Sequence, residues 1–135
     1  QQLQPLLADR SLPIYAVVGI DARGFIFAAA AAIKLKAGFV PVRKKGKLPF
    51  STIEQDYALE YGSATVAMHV DALKPGARVL LLDDLLATGG TAAAAISLMK
   101  KLNAQILGVN FLIELKFLNG REKLPGCPVN SIVSY

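Results

Sequence analysis

Apolar positions in this chain gather into short runs that alternate with loops of small and polar residues. Val79-Leu80-Leu81-Leu82 is an unbroken aliphatic run stopped by Asp83-Asp84. Such a run bounded by polar residues suits a strand buried on both faces, as in a parallel sheet covered by helices. A loop follows, Leu85-Leu86-Ala87-Thr88-Gly89-Gly90-Thr91, and Ala92 to Leu102 then has strong helix propensity. The same order occurs earlier: Ile14 to Ile20 reads as a buried strand, Asp21-Ala22-Arg23-Gly24 as a sharp loop, and Phe25 to Leu35 as a helix. That helix carries alanine without interruption from Ala28 to Ala32, which lets another backbone approach closely, either the sheet or a second subunit.

Gly38 to Val42 gives the next strand, and a long polar connection runs from Arg43 to about Asp56. Tyr57 to Gly62 alternates like a strand, with Thr65 to Val70 as its antiparallel partner in a small hairpin. Lys74-Pro75-Gly76 is a turn into the central strand. Beyond the second helix, Gln105 to Leu112 is a strand, Leu118 to Leu124 a short helix or turn, and Pro128 to Val133 a closing strand. The prediction is an α/β fold, a mainly parallel central sheet flanked by helices on both faces, with a small β-hairpin and a flexible loop. Residues 1–135 are expected to form one domain. Leu3, Leu6 and Leu7 predict an amphipathic helix before the Ser11-Leu12-Pro13 break; opening inside a helix and without Met, the chain is expected to be N-terminally incomplete.

Composition narrows the chemistry. With 53% hydrophobic and 19% charged residues the chain is globular, and its apolar runs are too short to span a bilayer, so a cytoplasmic protein without membrane contact is expected. Cys127 is the sole cysteine and His69 the sole histidine, which excludes an intrachain disulfide and any multi-histidine metal site and argues against the usual Ser-His or Cys-His nucleophile activation. The net charge of +5 suits polyanionic metabolites as well as nucleic acid. No long basic run, RNA-binding signature or zinc pattern favours nucleic acid, and none is expected as a partner.

The loop after the central strand sits at a helix N-terminus, where unpaired backbone N–H groups and the helix dipole attract an anion. Gly89-Gly90 let the backbone close around a phosphate, and Thr88 and Thr91 add hydroxyls. Asp83 and Asp84 beside that cradle point to a ligand with vicinal hydroxyls next to its phosphate, such as a ribose 5-phosphate, and can help hold a divalent metal. A Walker loop needs Lys after its second glycine, where Thr91 stands, and the dinucleotide pattern G-x-G-x-x-G is absent. A receiver domain carries paired acids without a reason for Thr-Gly-Gly-Thr. Arg23 in the earlier strand-loop-helix unit makes a second anion site.

Asp83-Asp84-Leu85-Leu86-Ala87-Thr88-Gly89-Gly90-Thr91 resembles the 5-phosphoribosyl-1-diphosphate (PRPP) motif of type I phosphoribosyltransferases, in the form carried by the adenine branch, and the likeness extends from about Val18 to the C-terminus. The resemblance implies Ala87, Thr88, Gly89, Gly90 and Thr91 on the 5-phosphate, Asp83 and Asp84 on the ribose hydroxyls, and Arg23 on the diphosphate. Arg43-Lys44-Lys45-Gly46-Lys47-Leu48-Pro49 resembles the start of the branch's mobile loop, which implies that Arg43 and Lys47 act on the diphosphate and that Arg43 can reach a neighbouring subunit's ligand. Glu60 matches the glutamate that handles the proton of the base, and Tyr61 either covers the closed site or packs as an aromatic. Also implied are a homodimer and magnesium held mainly through PRPP, with Asp83 as its possible protein ligand.

The activity implied is reversible conversion of adenine and PRPP to AMP and diphosphate. The resemblance implies an N-terminal hood over the base, which is expected to be absent from this sequence, and that leaves a non-catalytic PRPP-binding regulatory protein as the alternative. A nucleic-acid module is the third.

Overall fold

The computed structural model describes residues 13–59 and 62–135. Glu60, Tyr61 and the expected N-terminal helix lie outside the described residues. One seven-stranded sheet runs through the molecule in the order β3-β4-β2-β1-β5-β6-β7. Its strands are β1 (Ala16–Ile20), β2 (Gly38–Lys44), β3 (Thr52–Leu59), β4 (Gly62–His69), β5 (Arg78–Leu86), β6 (Gln105–Glu114) and β7 (Val129–Ser134). From β2 to β7 by way of β1, β5 and β6 the neighbours are parallel; β4 pairs antiparallel with β2 and with β3. The fold expected from the sequence is therefore present, α/β with a mainly parallel sheet and a hairpin at one edge.

Helices α1 (Gly24–Leu35) and α2 (Gly90–Lys101) cover opposite faces. In α2 the buried positions Ala92, Ala95, Ile96 and Met99 recur at helical spacing and meet the aliphatic face of the sheet, including Val18, Val79 and Leu81. In α1 the stripe is Gly24, Ala28, Ala31 and Ala32, against Val17 and Leu82. Small residues there permit a close approach: a Cβ added at Gly19 on β1 would lie 2.6 Å from the Ala28 Cβ. The alanine run thus serves the chain's own sheet. The apolar residues Ile26 and Ile33 face away from it, 69% and 80% exposed.

Several element bounds differ from the sequence reading, each for a physical reason. β5 does not stop at Leu82 but continues through the acid pair to Leu86, because Asp83, Leu85 and Leu86 pair with Phe111, Ile113 and Glu114 of the equally extended β6. β2 likewise takes in Arg43 and Lys44, paired with Ala67 and Val66 of β4. The expected 43–56 connection is largely strand: β3 begins at Thr52, and only residues 45–51 link it to β2. Glu54 and Asp56 are exposed at the sheet edge while the backbone pairs with β4, so residues 54–56 read as loop although they are strand. α2 starts at Gly90 rather than Ala92, α1 at Gly24 rather than Phe25, and β1 at Ala16 rather than Ile14.

Candidate active site

β1 lies between β2 and β5, so the connections after β1 and after β5 leave on opposite faces of the sheet. At such a switch point the carboxyl ends of two parallel strands open into a crevice. Here it is a cavity of about 260 Å³ lined by residues 20–23 and 83–92. Arg23, Asp83, Asp84, Ala87, Thr88, Gly89, Gly90 and Thr91 are brought together in it, from stretches of sequence some sixty positions apart.

One wall is the loop before α2. The helical hydrogen bond from the Ala93 N–H to the Gly89 carbonyl, 2.9 Å, leaves the amides of Gly90, Thr91 and Ala92 without a partner inside the helix. Gly89 has φ +89°, and a Cβ there would lie 2.5 Å from the Gly120 carbonyl oxygen, so both conformation and space require glycine. The result is a row of amide donors at the positive end of a helix dipole, fit for a phosphate.

The opposite wall carries the charges. Arg23 Nε meets Asp84 Oδ2 at 2.8 Å, with the arginine side chain 76% exposed. Asp83 Oδ1 accepts the Asp84 N–H at 2.9 Å. Gly24 lets the start of α1 abut this carboxyl, since a Cβ there would stand 2.7 Å from Asp83 Oδ1. Burial dominates the titration of Asp83 and pushes its carboxyl up to about 7, with the Asp84 N–H partly opposing the rise and the neighbouring Asp84 carboxyl adding to it. Among the described residues no group of three His, Cys, Asp or Glu side chains is placed to hold a metal.

The remaining expected residues stand apart. Arg43 Nε pairs with Asp21 Oδ2 at 3.1 Å, and its guanidinium sits 6.0 Å from the Phe25 ring centre. Arg43 thus folds toward the Asp21-Ala22-Arg23 loop of its own chain without lining the cavity. Lys47 is exposed on the 45–51 loop and does not line the cavity either.

The phosphoribosyl transferase domain matches residues 8–123. An adenine phosphoribosyltransferase of Acidothermus cellulolyticus is 61% identical over 117 residues, covering 87% of this chain and 66% of its own length. The crystal structure of the Rhodothermus marinus adenine phosphoribosyltransferase superposes with a TM-score of 0.92 at 49% identity, over 98% of this chain and 74% of that one. The chain belongs to the adenine phosphoribosyltransferase family. It spans two thirds to three quarters of the length of these relatives. The Saccharomyces cerevisiae adenine phosphoribosyltransferase, solved with an imino-altritol bisphosphate and adenine, matches with a TM-score of 0.90 at 42% identity over 97% of this chain and 73% of its own.

As a member of this family the chain shows one feature that sequence reasoning passed over. Asp21, read only as part of a sharp loop, holds Arg43 and so ties the basic stretch to the Arg23 loop. No spacing signal marks it, because its partner is distant in sequence. None of the described helices is long and apolar enough to cross a membrane.

Proposed function

We propose that this chain transfers the 5-phosphoribosyl group of PRPP to adenine, reversibly, giving AMP and diphosphate. The observation that carries the reading is the switch-point crevice, in which an amide cradle faces paired carboxylates and an arginine across a cavity of about 260 Å³. Few ligands call for all three; a phosphorylated sugar with vicinal hydroxyls and an anionic leaving group does.

In this reading the amides and hydroxyls of residues 87–91 hold the 5-phosphate. Asp83 and Asp84 accept hydrogen bonds from the ribose hydroxyls and lie near the positive charge that develops on the sugar as diphosphate departs. Arg23 offsets the charge of the leaving group from inside the cavity. Lys47 and Arg43 join it from the 45–51 loop and its base when that loop closes and excludes water. Glu60 takes the proton from the base, and Tyr61 covers it.

Magnesium fits this donor set. Asp83 is a half-buried carboxyl that a divalent cation would bring to its ionised form, while Asp84 is engaged by Arg23. The ion would be held mainly by PRPP oxygens, with Asp83 as the protein's contribution; bound there it neutralises charge on the diphosphate. A homodimer accords with the exposed Ile26 and Ile33 on one side of α1. A cytoplasmic location goes with a substrate pool of phosphorylated metabolites.

The reverse direction tests the assignment. AMP and labelled diphosphate with magnesium are expected to give labelled PRPP and free adenine, whereas IMP and orotidylate give none. Labelled PRPP from IMP or orotidylate at a similar rate would overturn the adenine assignment.

A further inference from the structure

Behind the phosphate loop lies a segment to which the proposed reaction gives no role. β6 ends at Glu114, and the chain makes an excursion through two single-turn 3-10 helices, Lys116–Leu118 and Gly120–Lys123, before β7. At its near end the Leu115 N–H donates to the Leu86 carbonyl at 2.9 Å. At its tip the backbone presses directly on the loop. A Cβ at Gly120 would lie 2.5 Å from the Ala87 carbonyl oxygen and 2.8 Å from Leu86 Cδ1, and one at Gly89 would lie 2.5 Å from the Gly120 carbonyl oxygen. Two glycines thus let two backbones cross with no side chain between them.

The next residue fixes that crossing in place. Arg121 donates from Nε to Glu114 Oε2 and from Nη2 to Glu114 Oε1, both at 2.8 Å, and from Nη1 to the Val129 carbonyl at 2.9 Å. Ser131 Oγ donates to Glu114 Oε1 at 2.8 Å. The Glu114 side chain is 4% exposed. A two-pronged arginine–carboxylate pair has a narrow geometry, and a buried carboxylate with both oxygens occupied resists rearrangement. Leu124, buried in the α2-side core, anchors the far end.

We infer that the Glu114–Arg121–Ser131 brace is a positioning device for the phosphate loop, holding Gly120 against Ala87 and Gly89 so that the amides before α2 point at one phosphate position. The inference rests on the reading of residues 87–91 as the 5-phosphate cradle. It makes Arg121 and Glu114 positioning residues that never touch the ligand. Their loss is felt by the sugar phosphate and not by diphosphate, which the Arg23 loop on the other wall receives.

Calorimetric titration of the whole chain with ribose 5-phosphate and, separately, with magnesium diphosphate tests this. Arg121→Met is expected to weaken ribose 5-phosphate binding by roughly ten- to a hundredfold, since small misplacements of a positioned group have effects of that size. Diphosphate binding is expected to stay within about twofold, and Arg121→Lys, which keeps the charge but not the fork, to recover part of the loss. Gly120→Ala, with the brace intact but a methyl group driven into the Ala87 carbonyl, is expected to give the same selective loss. It carries the test if Arg121→Met does not fold. Wild-type ribose 5-phosphate affinity in folded Gly120→Ala, or equal weakening of both ligands in either variant, would overturn the inference. Failure of the wild-type chain to bind ribose 5-phosphate would instead overturn the cradle reading beneath it.

Discussion

Asp83 is the residue at which the site's demands conflict most openly. In the proposed reading it lies deep enough to reach the ribose, and its burial pushes its carboxyl from an ordinary 3.8 up to about 7. Because the folded value lies above the unfolded one, its contribution to stability is full below 3.8 and is lost as pH rises through about 7. Asp83→Asn, which keeps an acceptor for the Asp84 N–H, is therefore expected to raise the melting temperature of the unliganded protein more at pH 8 than at pH 5, as calorimetry can measure. A ligand that needs the ionised form works in the opposite direction. Magnesium PRPP is expected to bind the wild-type chain more tightly as pH rises toward 7, and this part of the pH dependence should vanish in Asp83→Asn. If Glu60 takes the proton from the base, Glu60→Gln lowers kcat by roughly a hundred- to ten-thousandfold in AMP formation. PRPP affinity should be unchanged; an unaltered kcat would remove Glu60 from the mechanism.

At the level of elements, the strand-loop-helix units were legible because they combine aliphatic runs, glycines and alanine-rich helices within a few residues of one another. β1 with α1 and β5 with α2 were read nearly in register, and residues 87–91 lie between β5 and α2 and line the cavity, where the sequence put their loop. Long-range pairing was less legible. The strand character of Thr52 to Asp56 depends on pairing with Thr65 to His69, and polar edge residues carry little periodic signal of it. The Arg43–Asp21 pair, the Glu114–Arg121 brace and the Gly120 crossing are contacts between elements, invisible to spacing rules. What remains of the expected mobile loop, residues 45–51, is nonetheless tethered: His69 Nε2 lies 2.9 Å from the Pro49 carbonyl oxygen, and Lys45 pairs with Glu54 at 3.6 Å. If this loop closes on ligand, trypsin cleavage after Lys45 and Lys47 should slow severalfold with magnesium PRPP. Peptide mapping over a time course measures it, and an unchanged rate at saturating PRPP would argue against closure.

For the whole molecule, the sheet order decides which loops meet at the crevice. Placing β1 beside β5 sets two helix-terminal loops around one crevice, and in the proposed reading both loops together are needed to tell PRPP from a simple phosphate. The outer face of α1 bears on assembly. Ile26 and Ile33 lie seven residues apart on one side of the helix, and if they are covered in a homodimer, Ile33→Glu should shift the chain toward monomer in sedimentation velocity. A sedimentation coefficient unchanged from wild type would place the interface elsewhere. The central claim is catalytic, and forward turnover tests it most directly: labelled adenine, PRPP and magnesium with this 135-residue chain, and hypoxanthine and orotate as competing bases. Labelled AMP formed from adenine alone is the expected result. No nucleotide from any base, from folded protein that still binds PRPP, would contradict it and leave a PRPP-binding protein without transferase activity.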